Sequence, residues 1–196
     1  MRNCYLLTGN TQSERAQSSK KVLENIGFNV IFFKFIPNEN KVLSNKISMI
    51  KMYELILQGD HEWGYVFEDD INILEKITID EIIEYEKISS KIFYLGVCMY
   101  DHYTVEYNSE KINGHPIAIV KGQVRGAHAI AFSKKGVAEI LDFVEITNVK
   151  SDFMDVILEE YTKISPANVV RYDLESYIKG HRGIIFQDRN VFPSTI

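Results

Sequence analysis

Four short apolar runs alternate with segments of helical period, and this alternation constrains the chain more than any other feature. The runs are Cys4 to Thr8, Asn29 to Ile36, Trp63 to Phe67 and Lys91 to Met99. The first closes at Gly9-Asn10, a turn signal, and Thr11 or Ser13 then opens a polar stretch that carries Val22, Leu23 and Ile26 before Gly27 stops it. Between the second and third runs, Met49, Met52, Tyr53 and Ile56 fall at i, i+3, i+4 and i+7 within Ser44 to Leu57, one face of a helix. Ile79, Ile82 and Ile83 mark a shorter helix before the fourth run. The order β-α-β-α-β-α-β predicts an α/β fold: a Rossmann-like mixed sheet, mostly parallel, flanked by helices.

The second half is less regular. Tyr103 to Tyr107 and Pro116 to Val124 read as two strands of an antiparallel flap around the turn pair Asn113-Gly114. Ala127 to Phe132 is a further strand, with Ser133 as N-cap of a helix bearing Val137, Ile140, Leu141 and Val144. Ser151-Asp152 predicts the start of the next helix, and one more short strand is expected after Gly183. No linker or repeat interrupts the chain. Its 196 residues therefore predict a single domain (1–196), with residues 1–100 as one half and 101–190 as the other.

Charge and cysteine content narrow the function classes. Lys and Arg number 22 against 27 Asp and Glu, a net charge of −5, so the basic stripe of a nucleic-acid binder is not expected. Cys4 and Cys98 both sit in apolar runs and predict buried, reduced thiols. Met1 to Leu7 is too short for a signal peptide, and no apolar run approaches the ~18–20 residues of a membrane span. The expectation is a cytoplasmic protein.

The sharpest chemical signal is Glu68-Asp69-Asp70, which leaves the third strand at its C-terminal end. Open α/β sheets bind ligands at that edge. Strand alternation puts Glu68 and Asp70 on one side and Asp69 on the other. Crowded carboxylates repel, and a hard divalent cation, Mg²⁺ or Mn²⁺, relieves the repulsion. The competing reading is a solvated acidic turn at a helix start.

The strand ending in Glu-Asp-Asp resembles the signature of glycosyltransferase family 25, which includes lipopolysaccharide and collagen hydroxylysine galactosyltransferases. Further segments resemble the family in the same order. They are the polar helix start carrying Arg15, the run Gly126 to Gly136 (Gly-Ala-His-Ala-Ile-Ala-Phe-Ser-Lys-Lys-Gly), the acidic helix start Ser151 to Asp155, and Gln187 near the end. The family's Ser-His pair before the acidic strand is not matched by Ile47-Ser48-Met49-Ile50. An excess of Ile, Asn and Lys suggests an AT-rich genome such as that of a virus or a parasite.

The resemblance implies a GT-A-type fold and a metal-dependent, inverting hexosyl transfer from a UDP-linked nucleotide sugar to a glycan or protein hydroxyl. It implies Mn²⁺ or Mg²⁺ on Asp70, Glu68 and a late histidine, His181. Arg15, Glu68, Asp69, Gly9 and Asp101 would contact the donor. Asp152, or else Asp155, would be the base, with Asp152 matching the family position better. His61, His102 and His115 lie in polar surroundings without metal spacing, and His128 reads as a satisfied core histidine. A Mg²⁺-dependent phosphoryl or nucleotidyl transferase would place acids at a strand end as well, and a non-catalytic glycan-binding relative is the rival outside enzymes.

Overall fold

A computed structural model describes residues 2–99, 105–122, 124–146 and 151–192. Its first strands, β1 (Arg2–Thr8) and β2 (Phe28–Lys34), run parallel, Cys4 opposite Val30 and Leu6 opposite Phe32. Between them α1 (Glu14–Ile26) starts where the Ser13 side chain accepts from the Ala16 N–H. It stops at Gly27, whose φ of 113° suits glycine. From β2 the chain passes through α2 (Lys41–Gln58) to β3 (Trp63–Glu68), which pairs with β1 on the side away from β2. Sheet growth therefore reverses between β1 and β3, and a crevice opens beyond their carboxyl ends. α2 begins three residues earlier than its apolar stripe indicates, because the Asn40 side chain caps the N–H groups of Val42 and Leu43.

The remaining elements are β4 (Ile71–Ile73), α3 (Ile79–Ile88), β5 (Ile92–Met99), β6 (Val105–Ile112), β7 (His115–Val120), β8 (Val124–Ser133), α4 (Lys134–Ile146), α5 (Met154–Ile164), β9 (Ala167–Val170), α6 (Leu174–Ile178) and β10 (Ile185–Gln187). The main sheet has the order β2-β1-β3-β8-β5-β9-β7-β6, and β10 pairs with β4 in a separate ribbon. Pairing directions make six of the eight strands point one way, with β7 and β8 reversed. β5 points with β1 and β3, as expected of a crossover strand, yet it does not touch β3. β8 lies between them, antiparallel to both. From Ala127 to Ser133 every residue of β8 is buried, as a strand covered on both faces requires.

The molecule is thus a single mixed α/β domain with a mostly parallel sheet flanked by helices. On one face, α2, α4 and α5 pack Met49, Tyr53, Ile140, Ile157 and Tyr161 against Val66, Ile130 and Phe132. On the other, α1, α3 and the β4–β10 ribbon bring Leu23, Ile82, Ile71 and Ile185 against Leu6, Phe67 and Leu95.

The expected flap is present as the β6–β7 hairpin, with Asn113 and Gly114 both at positive φ (50° and 81°), the geometry of a two-residue hairpin turn. The strand read as Pro116 to Val124 is instead divided. Gly122 at φ 74° turns the chain, its N–H bonds the Thr162 hydroxyl at 3.1 Å, and Val124 already belongs to β8. Ser133 caps α4 as expected, accepting from the Gly136 N–H at 3.1 Å. β5 is irregular at Gly96, which faces β10. A Cβ there would stand 1.8 Å from the Ile185 carbonyl oxygen.

Candidate functional site

The carboxyl ends of β1, β2, β3 and β5 and the first residues of α2 and α5 surround a cleft of about 870 Å³. That is within the ~300–1,000 Å³ usual for small-molecule sites. Glu68, Asp69 and Asp70 stand in its wall, at the reversal between β1 and β3. Asp69 reaches back to β1, where the Thr8 hydroxyl donates to Oδ2, and accepts from Arg15 Nε at 2.5 Å through Oδ1. A second Arg15 nitrogen is 3.2 Å from Asp70 Oδ2. One guanidinium at the start of α1 thus ties two of the three acids together. The turn behind them is fixed by Ser19 of α1, which bonds both the N–H and the carbonyl of Ile71.

Glu68 and Asp70 share one partner. The Gln187 amide, at the end of β10, lies 2.9 Å from Glu68 Oε2 and 3.4 Å from each oxygen of Asp70. Arg189 in turn donates to Gln187 Oε1 at 2.9 Å. The ribbon seats this amide: the Asp188 N–H bonds the Asp70 carbonyl at 2.7 Å. β3 ends at Glu68 and the chain turns at Asp69 and Asp70, so the expected strand alternation does not sort the acids: Gln187 joins Glu68 to Asp70, and Arg15 joins Asp70 to Asp69.

Asp70 is 2% exposed. Burial pushes its carboxyl above the usual range, against the pull of Arg15 and Gln187. Glu68 is pushed up to about 7, first by burial and then by the Asp70 charge. Two carboxylates thus meet at one point, with the Arg15 guanidinium on one of them. Among the described residues no three His, Cys, Asp or Glu side chains form a ready metal cage. Mg²⁺ and Mn²⁺ do not need one, since they commonly bind one or two carboxylates together with substrate phosphates. The Glu68–Asp70 pair fits that mode.

The other anticipated residues divide. Gly9 lines the cleft at the end of β1, and Arg15 lines it with its guanidinium on Asp69 and Asp70. Asp155 lines it from the first turn of α5. Asp152 does not; its side chain is 55% exposed and lies 3.9 Å from Lys46 Nζ. Nor does it cap the helix. α5 begins at Met154, its N-cap residue is Phe153, and the Ser151 hydroxyl accepts from the Phe153 N–H. His181 lies away from the acids, in a second cavity of about 360 Å³ with His115, Arg171 and Glu75. The reason is the direction of the ribbon: Gln187 sits opposite Ile71 and Ile185 opposite Ile73, so residues before Ile184 lie at the end far from Asp70. Asp101 and His102 fall outside the described residues. Both cysteines are free, Cys4 buried and Cys98 half-buried beside Gln187. Sequence reasoning missed Arg189 and Asn45, which also line the cleft. Neither belongs to a motif, and only the fold brings them there.

His128 is buried as expected but not satisfied: neither ring nitrogen makes a hydrogen bond of normal geometry. Burial holds it down to about 4, against an opposing influence of the Ile185 backbone. The folded state thus resists a proton that the unfolded chain accepts near pH 6.5. Stability is complete above that pH and falls as the pH drops from about 6.5 to 4, by about 3 kcal/mol from this group. Urea unfolding at pH 7, 5.5 and 4.5 should show this loss in the wild type and its absence in His128→Ala. Parallel pH profiles for the two proteins would refute it.

No family model matches the chain, and neither does any curated protein. Similar solved structures include A197 from STIV, at 11% identity and TM-score 0.45 over 86% of this chain and 81% of that one. Another is the apo form of the glycosyltransferase GlyE in Streptococcus pneumoniae TIGR4, at 10% identity and TM-score 0.47. That match covers 85% of this chain but 44% of the GlyE chain. A third is a UDP-glucose pyrophosphorylase complexed with UDP-glucose, at 12% identity and TM-score 0.39 over 91% and 78%. Among the described residues no helix is long and apolar enough to cross a membrane.

Proposed function

We propose that this chain is a glycosyltransferase of the family 25 type. It moves a hexose from a UDP-linked nucleotide sugar to a glycan or protein hydroxyl, with inversion. One observation carries the reading: Glu68 and Asp70 converge on a single point at the β1/β3 reversal, inside a cleft large enough for a nucleotide sugar. Asp70 and Glu68 would hold Mn²⁺ or Mg²⁺ together with the donor's diphosphate. When bound, the cation offsets the negative charge that grows on the departing diphosphate.

The chain's own residues do the rest. Arg15 keeps Asp69 and Asp70 in place from α1, and Gln187 aligns Glu68 with Asp70 from β10. Lys41 and Arg189 add positive charge to the cleft wall. Asp155 takes the proton from the acceptor hydroxyl as that oxygen attacks the anomeric carbon and the bond to the diphosphate oxygen breaks. Gly9 belongs to the donor side. The Asp155 assignment replaces the expected Asp152, because only Asp155 lines the cleft.

The test is Asp70→Asn, which keeps the shape and removes the charge. Mn²⁺-dependent UDP binding should weaken by ~10–100-fold, the loss of one strong charge-assisted contact. The melting temperature should barely move, because Arg15 keeps Asp69. Wild-type binding by this variant would overturn the metal assignment. A UDP-hexose labelled in both the sugar and the β-phosphate, assayed with Mn²⁺ and with chelator, separates this reading from phosphoryl or nucleotidyl transfer. The sugar label alone should reach the acceptor.

A further inference from the structure

Cys98 and His128 play no part in the chemistry above. His128 is 1% exposed, and neither ring nitrogen has a hydrogen-bond partner of normal geometry. A buried imidazole in that state has lost its hydration without a return, which natural cores rarely tolerate. The two nitrogens face different neighbours. Nε2 lies toward β5 and β10: a Cβ on Gly96 would stand 2.7 Å from Nε2 and 1.8 Å from the Ile185 carbonyl oxygen. Nδ1 lies toward Gly126 of β8. A Cβ on Gly126 would stand 3.0 Å from Nδ1 and 3.3 Å from the Cys98 sulfur. The imidazole and the thiol thus border one gap, which stays open because residue 126 has no side chain. Its φ of 107° is a conformation that favours glycine. Cys98 and Gly126 both line the cleft, so the gap lies at the cleft wall.

Sulfur and imidazole nitrogen are the ligands that soft and borderline cations prefer, whereas Mg²⁺ and Mn²⁺ prefer oxygen. The tautomer suits ligation too. With its proton on Nε2, toward the Ile185 carbonyl, the ring keeps the Nδ1 lone pair for the gap. A ligating histidine is commonly held this way, its other nitrogen directed at a carbonyl. Burial keeps the ring neutral at pH 7, as a ligand must be. Burial also keeps Cys98 protonated until a cation displaces the proton, and of the charges that act on it Arg189 is opposed by Glu68, Asp155 and Asp70. We propose that Cys98 and His128 form a binding site for one thiophilic divalent cation of the Zn²⁺ class, separate from the Glu68–Asp70 pair. The thiol releases its proton to solvent as the sulfur–metal bond forms, Nδ1 supplies the second bond, and cleft water completes the coordination. Zinc bonds of ~2.0–2.3 Å require each group to close on the gap by about 1 Å. A χ1 adjustment of the half-buried Cys98 supplies that movement. The site stands independently of the nucleotide-sugar reading.

Co²⁺, which takes zinc sites and absorbs light when bound to sulfur, is the probe. Reduced wild type titrated with Co²⁺ at neutral pH should develop a thiolate-to-cobalt charge-transfer band that saturates at one ion per chain. Zn²⁺ should erase the band, and an excess of Mn²⁺ should leave it. Cys98→Ser should show no band although it keeps Cys4. His128→Ala should keep the band but bind Co²⁺ about tenfold or more weakly, the effect of one lost ligand. Because that variant alters the core, the ring is also read in the wild type. With isotopically labelled histidine, Zn²⁺ should move the His128 Nδ1 resonance while Nε2 keeps its proton. No band in wild type, a band retained in Cys98→Ser, or an unmoved Nδ1 resonance would overturn the site. So would loss of the band on adding Mn²⁺, which would assign the ion to the acids instead. Failure of wild type to bind Mn²⁺ and UDP would count against the acidic centre alone and leave the Cys98–His128 site standing.

Discussion

With Asp155 replaced by Asn, turnover of the UDP-sugar should fall by ~10²–10⁴-fold while the donor dissociation constant stays nearly unchanged. A general base acts on the acceptor's proton in the transition state, so its loss cuts kcat and leaves ground-state donor binding alone. Asn keeps the size of the side chain and its bond from the Val156 N–H to Oδ1, which holds the group at the start of α5. Asp152→Asn is the matched control. That residue is exposed beside Lys46 and should keep near-wild-type turnover. The reverse pattern would move the base to Asp152. Full activity in both variants would remove both from the chemistry and require another carboxylate.

The second large effect is structural. Gly96→Ala should destabilise the protein by ~3 kcal/mol or more, a fall in melting temperature of roughly 6–12 °C for a domain of this size. The new methyl would meet the Ile185 carbonyl oxygen at 1.8 Å and His128 Nε2 at 2.7 Å. The first contact is backbone, so β10 has to move away from β5. Gln187 is two residues along β10 and moves with it. The variant should therefore also lose the shared clamp on Glu68 and Asp70, and bind UDP and Mn²⁺ more weakly at temperatures where it is still folded. A melting temperature within a degree or two of wild type would show that β10 does not rest against Gly96.

How much of this was legible in the sequence depends on the length of the element that carries it. α1 and α2 are long enough for period and capping to speak, and β1, β2 and β3 are apolar runs closed by turn residues. β9 has four residues and α6 five, too few for any period to show, whereas the short strand expected after Gly183 is present as β10. The acids were readable because three charges at the end of an apolar strand conflict with burial. Asp152 stands ahead of Asp155 in the sequence because it matches the family position better, and only the fold shows that the helix starts at Met154 and leaves Asp152 exposed beside Lys46. His181 was misplaced because chain order does not reveal the direction of a three-residue strand. The neighbours of β3 were also hidden. An αβ alternation implies that consecutive parallel strands adjoin, and nothing in Val124 to Ser133 announces an antiparallel strand inserted between them.

That insertion has a consequence for biosynthesis. When the ribosome has made the first hundred residues, β1, β2 and β3 can pair, but β3 and β5 each still lack β8 as a neighbour. β8 is complete only at Ser133, some thirty residues later. Until then the nascent chain carries two strongly apolar strand edges that await β8, besides the β5 edge that awaits β9, the condition under which partly made proteins stick to one another. Expression should therefore respond to chaperone supply and to growth temperature more than the stability of the finished domain would suggest. A fragment ending near residue 100 should be recovered as aggregate, although it contains all three acids.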